Sequence, residues 1–111
     1  MPLRTPKGAR RYNARVVLTY SARVVDEFGH ASYAAAVDVA EVHAVVTHMS
    51  ATKTMMTFQQ ADVVGLDIEL RAPAVEFNGL RYEGHDVHFA EPEPIDRGRR
   101  LRISGWYQED R

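Results

Sequence analysis

Ala74 to Phe89 reads AVEFNGLRYEGHDVHF, and this stretch decides the fold class. Two runs of alternating apolar and polar residues flank Asn78-Gly79. Asn-Gly is the strongest short-range signal for a two-residue type I′ hairpin turn, because both central residues must adopt positive φ. Val75 and Phe77 share one face before the turn. Leu80 and Tyr82 alternate with Arg81 and Glu83 after it. A period of two with one apolar face predicts an antiparallel, half-buried sheet.

Working outward, the same pattern recurs on both sides. Asp67 to Arg71 (DIELR) places Ile68 and Leu70 on one face and charges on the other. Arg100 to Tyr107 (RLRISGWY) predicts the last strand, with Gly105 marking a bulge or a barrel corner. Arg15 to Val25 (RVVLTYSARVV) is rich in Val, Thr and Tyr and predicts the first strand, with a break near Ser21-Ala22. Asp26-Glu27-Phe28-Gly29 is a turn, and His30 to Ala36 an extended crossing. Val37 to Thr47 alternates with one slip between Val39 and Val42, the mark of a β-bulge. Glu91 to Pro94 is an extended connector and Asp96 to Arg99 a turn. Five or six short strands separated by turn signals predict an all-β fold, a small antiparallel β-barrel, since closure removes exposed edges. His48 to Val64 breaks the pattern with no glycine or proline before its end. It forms either a short helix or a long projecting loop.

With 111 residues the chain suits one domain. The expected organisation is a basic N-terminal arm over residues 1–14, a barrel over 15–107 containing the 48–64 insert, and a polar tail over 108–111. There is no cysteine, so disulfides, thiolate metal sites and cysteine nucleophiles are excluded. No apolar run approaches the roughly 20 residues of a membrane-spanning helix. The basic N-terminus lacks the apolar centre of a signal peptide, so synthesis in a cytoplasm is expected. Charge is uneven. Arg4, Lys7, Arg10, Arg11 and Arg15 give the first fifteen residues +5, so a net charge of −1 leaves −6 for the remainder. From Val16 to Leu70, seven acids face only Arg23 and Lys53. The arm is either a solvated tail or a docking arm through Arg4, Lys7, Arg10 and Arg11.

Catalytic chemistry finds little footing. Ser21, His30 and Asp26 form no recognisable nucleophile–base–acid frame. Glu91 and Glu93 flank prolines in an exposed connector. Neither a Walker loop nor a dinucleotide-binding glycine motif is present. His85 and His88 have the spacing of a metal pair, but in a strand residues three apart point to opposite faces. No enzyme activity, metal or cofactor is expected. Tyr12, Tyr20, Tyr82, Trp106 and Tyr107 supply the aromatics an OB-like single-stranded nucleic-acid-binding barrel would need, though on an acidic body.

Taken in order, these landmarks resemble a family. Asp26-Glu27-Phe28-Gly29 follows the first strand, then Val39-Ala40-Glu41-Val42-His43-Ala44. A methionine- and threonine-bearing insert precedes a strand ending at Arg71. Phe77-Asn78-Gly79 leads to Tyr82-Glu83, and Ile95 to Leu101 opens the last strand. From Val16 to Trp106 the chain resembles the head closure (stopper, or head–tail joining) proteins of long-tailed bacteriophages. Where that family often carries Trp this chain has Tyr33 or His43, and the link from Arg71 to the hairpin, Ala72 to Glu76, is short here.

The resemblance implies a structural protein of the virion neck. It implies a sixfold or twelvefold homo-oligomeric ring, with portal and adaptor above and a tail terminator or tail-tube ring below. Packaged double-stranded DNA would pass through the channel. No membrane is involved. It also implies that the insert is a channel-gating or interface loop, with His48, Met49, Lys53, Met55, Met56, Phe58, Gln59 and Gln60 its contact residues. Methionine suits a surface that repacks between states. Asp96, Arg97, Arg99, Arg100 and Arg102 then make a charge strip between subunits, or an ordinary solvated turn. A tail terminator or tail completion ring is the alternative within the same class.

Overall fold

The computed structural model describes residues 13–60 and 62–109. The chain runs β1 (Ala14–Tyr20), β2 (Arg23–Val25), β3 (Ala31–Tyr33), β4 (Val37–His48), helix α1 (Ala51–Phe58), β5 (Val63–Arg71), β6 (Gly79–Tyr82), β7 (His85–Asp86), β8 (His88–Phe89), β9 (Glu93–Ile95), a 3₁₀ turn (Asp96–Gly98) and β10 (Arg100–Gln108). The main sheet has the order β7-β6-β1-β4-β5-β10-β8, with β9 also on β10, and its described pairings are antiparallel. β7 and β8, at opposite ends of that order, are separated in sequence by Val87 alone. The Val87 N–H donates to the Leu80 carbonyl at 2.9 Å, and two residues later Phe89 pairs with Gly105 of β10. The chain thus steps across the gap and brings the sheet to a nearly closed barrel, as the turn-punctuated alternation predicts.

The alternation supplies the core. Val16 and Leu18 of β1, Leu66, Ile68 and Leu70 of β5, and Ile103 of β10 are fully buried. Val46, Ile68 and Ile103 lie opposite one another across three neighbouring strands, forming one layer. Each such side chain contributes roughly 1.5–3 kcal/mol by leaving water. The β1–β4 register slips by one residue: Leu18 faces Ala40 and Thr19 faces Asp38, leaving Val39 extra. A bulge is thus present as expected, at Val39 itself rather than between Val39 and Val42.

Three expectations are corrected. Asn78-Gly79 is not a hairpin turn, and neither residue has positive φ. The two-residue turn is Glu83-Gly84, with φ of 48° and 79°, joining Tyr82 to His85. Gly79 begins β6 because a Cβ there would collide with the Thr19 hydroxyl of β1. Val75 and Phe77 lie in a loop rather than a strand.

Second, of the two forms open to the 48–64 insert, the short helix is the one found and the long projecting loop is not, since α1 occupies its centre. Ser50 caps it, its Oγ accepting from Lys53 N at 3.1 Å. Gln59, at φ 56°, ends it with its N–H on the Met55 carbonyl. Third, His30 to Ala36 is not merely a crossing. β3 pairs with β2 as a two-stranded ribbon whose strands, among the described residues, pair only with each other.

Candidate assembly surface

The element that leaves the barrel is the β2–β3 hairpin. Arg23 pairs with Tyr33, Val24 with Ser32 and Val25 with Ala31. Its loop is Glu27-Phe28-Gly29. Gly29 N donates to the Asp26 carbonyl at 3.1 Å and Gly29 sits at φ 81°, a type I turn closed by a left-handed residue. Asp26 Oδ1 accepts from the backbone N–H of Phe28 at 2.9 Å and of His30 at 2.8 Å, fixing the tip.

Every residue of both strands is exposed. Phe28 is 77% exposed, Tyr33 70%, Val37 57% and Val25 56%, with Val24 close behind. In a cross-strand ladder opposed residues share a face, so Tyr33, Val25 and Ala31 line one side together with Arg23. Apolar side chains gathered on one projecting element, with no barrel surface against them, mark an interaction site.

The hairpin extends the β1–β4 ribbon, and a device marks where it leaves the barrel. Tyr20 still faces Val37. Two residues on, the Ala34 N–H donates to the Ala22 carbonyl at 2.8 Å. Three residues on one strand thus answer two on the other, and the ribbon bends. Asn78 spans the bend. Its Oδ1 accepts from Ser21 N at 2.9 Å, its Nδ2 donates to the Ser21 carbonyl at 2.8 Å, and its own N–H donates to the Thr19 carbonyl at 3.0 Å. A side-chain amide is here a substitute strand for one residue, which explains why Asn precedes Gly79 without making a turn.

The other predicted residues fall in two groups. Along the insert, His48 ends β4 and stands 6.2 Å from the Tyr82 ring, centroid to centroid. Lys53 Nζ meets Asp67 Oδ2 at 2.9 Å and ties α1 to β5. Thr54 is the buried face of the helix, and a Cβ on Gly65 of β5 would lie 2.5 Å from its Oγ1 and 2.9 Å from Met49 Sδ. Met49, Phe58 and Gln60 are half-buried, while Gln59 is exposed. Met55 and Met56 are exposed and, with Ala51 and Thr52, line a shallow depression.

In the basic strip, Arg100 pairs within the chain with Glu69 and lies 3.6 Å from Asp96. Arg97 and Arg99 are exposed at the turn, and Arg102 is exposed on β10 opposite Glu69. The docking arm (Arg4, Lys7, Arg10, Arg11) lies outside the described residues.

Electrostatics are more balanced than the residue counts imply. Four of the seven acids between Val16 and Leu70 pair with lysine or arginine: Asp38 with Arg81 at 2.8 Å, Glu41 with Arg15 at 3.5 Å, Asp67 with Lys53, and Glu69 with Arg100, while Asp26 lies 3.4 Å from the His30 imidazole. The hydrogen bond to Asp38 raises the pKa of the Arg81 guanidinium. Burial raises those of the Tyr82 and Tyr107 phenols, and Glu83 adds to both.

The histidine pair separates: His85 stacks on Tyr107 at 4.2 Å and His88 on Trp106 at 4.4 Å, successive residues of β10. Among the described residues, no group of three or more histidines and carboxylates is placed to hold a metal. Ser21 at the hairpin base and Asp26 near its tip are five residue steps apart along extended chain, about 16 Å. The hairpin was the surface that sequence reasoning missed. Its available signal was Phe28 inside a turn beside Gly29, where a polar residue is usual.

Comparison with known proteins finds fold relatives. A chain from the virion of a native gene transfer agent particle superposes with a TM-score of 0.64 at 20% identity, over 87% of this chain and 94% of that one. Protein SF1141 from Shigella flexneri 2a, a solution structure, gives 0.63 at 16% identity, over 91% and 96%. At such identities the likeness shows a shared fold. No protein-family model matches the chain, and no curated protein does.

Proposed function

We propose that this chain is a structural protein of a phage-type virion. It forms a homo-oligomeric ring in the neck, between portal or adaptor and tail, that closes the DNA channel and presents the surface to which the tail attaches. It acts by assembly and shape, without catalysis or cofactor. The observation that carries this reading is the likeness, nearly end to end in both chains, to a polypeptide of a virion particle. The projecting apolar hairpin supports it, because a small barrel has no use for such an element alone. On this reading Met55 and Met56 of α1 are the repacking contacts of the channel or of the neighbouring ring. The basic arm would fasten the subunit to an acidic patch above.

Electron microscopy of particles made by the genome encoding this chain is the test. The expected result is density for this barrel in a ring beneath the portal. Its placement in capsid shell, tail tube or baseplate, or its absence from the particle, overturns the reading.

A further inference from the structure

Two unsatisfied surfaces occur on the same chain. One is the β2–β3 hairpin, with open edges and apolar side chains. The other is half of β4. Residues Ala44 to His48 pair with β5, but in that register β5 ends opposite His43. From Val37 to His43, β4 has β1 on one side, and among the described residues no strand on the other. A half-paired twelve-residue strand is a template for strand addition. Its exposed Val37 adjoins the hairpin's apolar set.

We propose that the β2–β3 hairpin of one copy adds to the open half of β4 in a second copy, and that this head-to-tail contact builds the ring. Direction follows from the sheet and from charge. In the main sheet neighbours run antiparallel, a condition either hairpin strand can meet, and charge selects β3. Antiparallel to β4, β3 carries the hairpin tip down to the end of β5. The tip bears Asp26 and Glu27. The end of β5 bears Arg71, and the Ala72 N–H donates to the Arg99 carbonyl at 2.8 Å, which brings the Arg97–Arg99 turn beside it. An acidic tip thus meets a basic socket, while Val25, Phe28 and Tyr33 gain apolar cover. The donor and acceptor surfaces are different, so each subunit has both to offer. The contact is heterologous and propagates into a ring or a filament rather than stopping at a dimer.

This rests on the ring reading above, and its test is separable from that of the neck location. The natural chain has no cysteine, so thiol cross-linking has no background. The purified double variant Ser32→Cys/Glu41→Cys, treated with a short bis-maleimide, should give a ladder of dimer, trimer and higher species. A mixture of the two single variants should stop at dimer. Thr57→Cys on α1, combined with Ser32→Cys, should give no ladder. Phe28→Ser in the ladder-forming variant should weaken association about tenfold, the effect of exposing one aromatic contact, with an unchanged circular dichroism spectrum. Arg97→Glu should weaken it in low salt, and Glu27→Lys added to it should restore the ladder. A chain that sediments as a monomer up to its solubility limit overturns the contact, as does a double variant that stops at dimer or an equal ladder from Thr57→Cys. The contact then fails even where microscopy finds the chain in the neck. A ladder with the chain found elsewhere in the particle leaves the contact standing and overturns the neck.

Discussion

At the scale of single residues, Asn78 carries more structure than its surroundings suggest. Its amide satisfies both backbone groups of Ser21 where the β1–β4 ribbon bends. Each hydrogen bond is worth about 0.5–1.5 kcal/mol net, and the site is exposed, so Asn78→Ala should cost about 1–2 kcal/mol by urea unfolding. The Ser21 amide should then lose protection from hydrogen exchange, while Leu66 and Ile68 keep theirs. Asn78→Asp should retain acceptance from Ser21 N but lose donation to its carbonyl, and fall between.

Tyr82 and Tyr107 act through protonation. Burial raises both above the ordinary tyrosine value of about 10. The folded chain therefore holds those protons more tightly than the unfolded chain. Their contribution is fully present below about pH 10 and is lost as pH rises through the folded values. Ultraviolet titration of tyrosinate should show a late-ionising component from Tyr82 and Tyr107 that disappears on unfolding. Tyr82→Phe and Tyr107→Phe should each remove one late ioniser. A titration without any late-ionising component would contradict the burial of both rings.

Elements depend on how such residues fit together, and α1 shows it at one contact. Thr54 Oγ1 donates to the Ser50 carbonyl at 2.8 Å, so it cannot turn away from Gly65 without losing that bond. Gly65→Ala would drive a methyl into Thr54 and Met49. Overpacking of this kind costs about 1–3 kcal/mol, visible as a lower urea midpoint. Thr54→Ala in the same chain should recover part of the loss, a coupling that independent sites would not show.

This contact also explains what was legible in the sequence. Strands with one buried face declared themselves: Ile68 and Leu70 of β5, and Leu101 and Ile103 of β10, alternate because the barrel has an inside. The 48–64 insert lacked glycine and proline, which suits helix. Its buried residue is Thr54 rather than a methionine, so hydrophobicity did not separate helix from loop. Asn78-Gly79 carries the stronger local turn preference, yet Glu83-Gly84 makes the turn. β6 must reach β1 closely enough that Gly79 is required there, and tertiary contact outweighs a dipeptide preference. The hairpin stayed hidden because a strand pair exposed on both faces has no inside to impose alternation.

For the whole molecule, the decisive feature is how the barrel closes. β4, β5 and β10 pair over long stretches, whereas the seam is one five-residue segment, His85 to Phe89, with two-residue strands on each side. Val87 fills it from within, and the His85–Tyr107 and His88–Trp106 stacks cover it, each worth about 0.5–1.5 kcal/mol. Short ladders open at lower free energy than long ones. Amides of the seam should therefore exchange by local opening, well before those of Leu66, Ile68 and Leu70, which should need global unfolding. Gly105 sets how close the seam can come, since a Cβ there would lie 2.6 Å from Val87 Cγ1 and 2.9 Å from the His88 carbonyl oxygen. The second atom is backbone and cannot rotate aside. Gly105→Val should force the segment outward, speed exchange at Val87 and Phe89 and lower stability by about 2 kcal/mol or more, while the order of protection within β4 and β5 is kept. Uniform exchange across seam and core, in the native chain or the variant, would mean that the barrel opens only as one cooperative unit and that its closing segment is no weaker than its longest ladder.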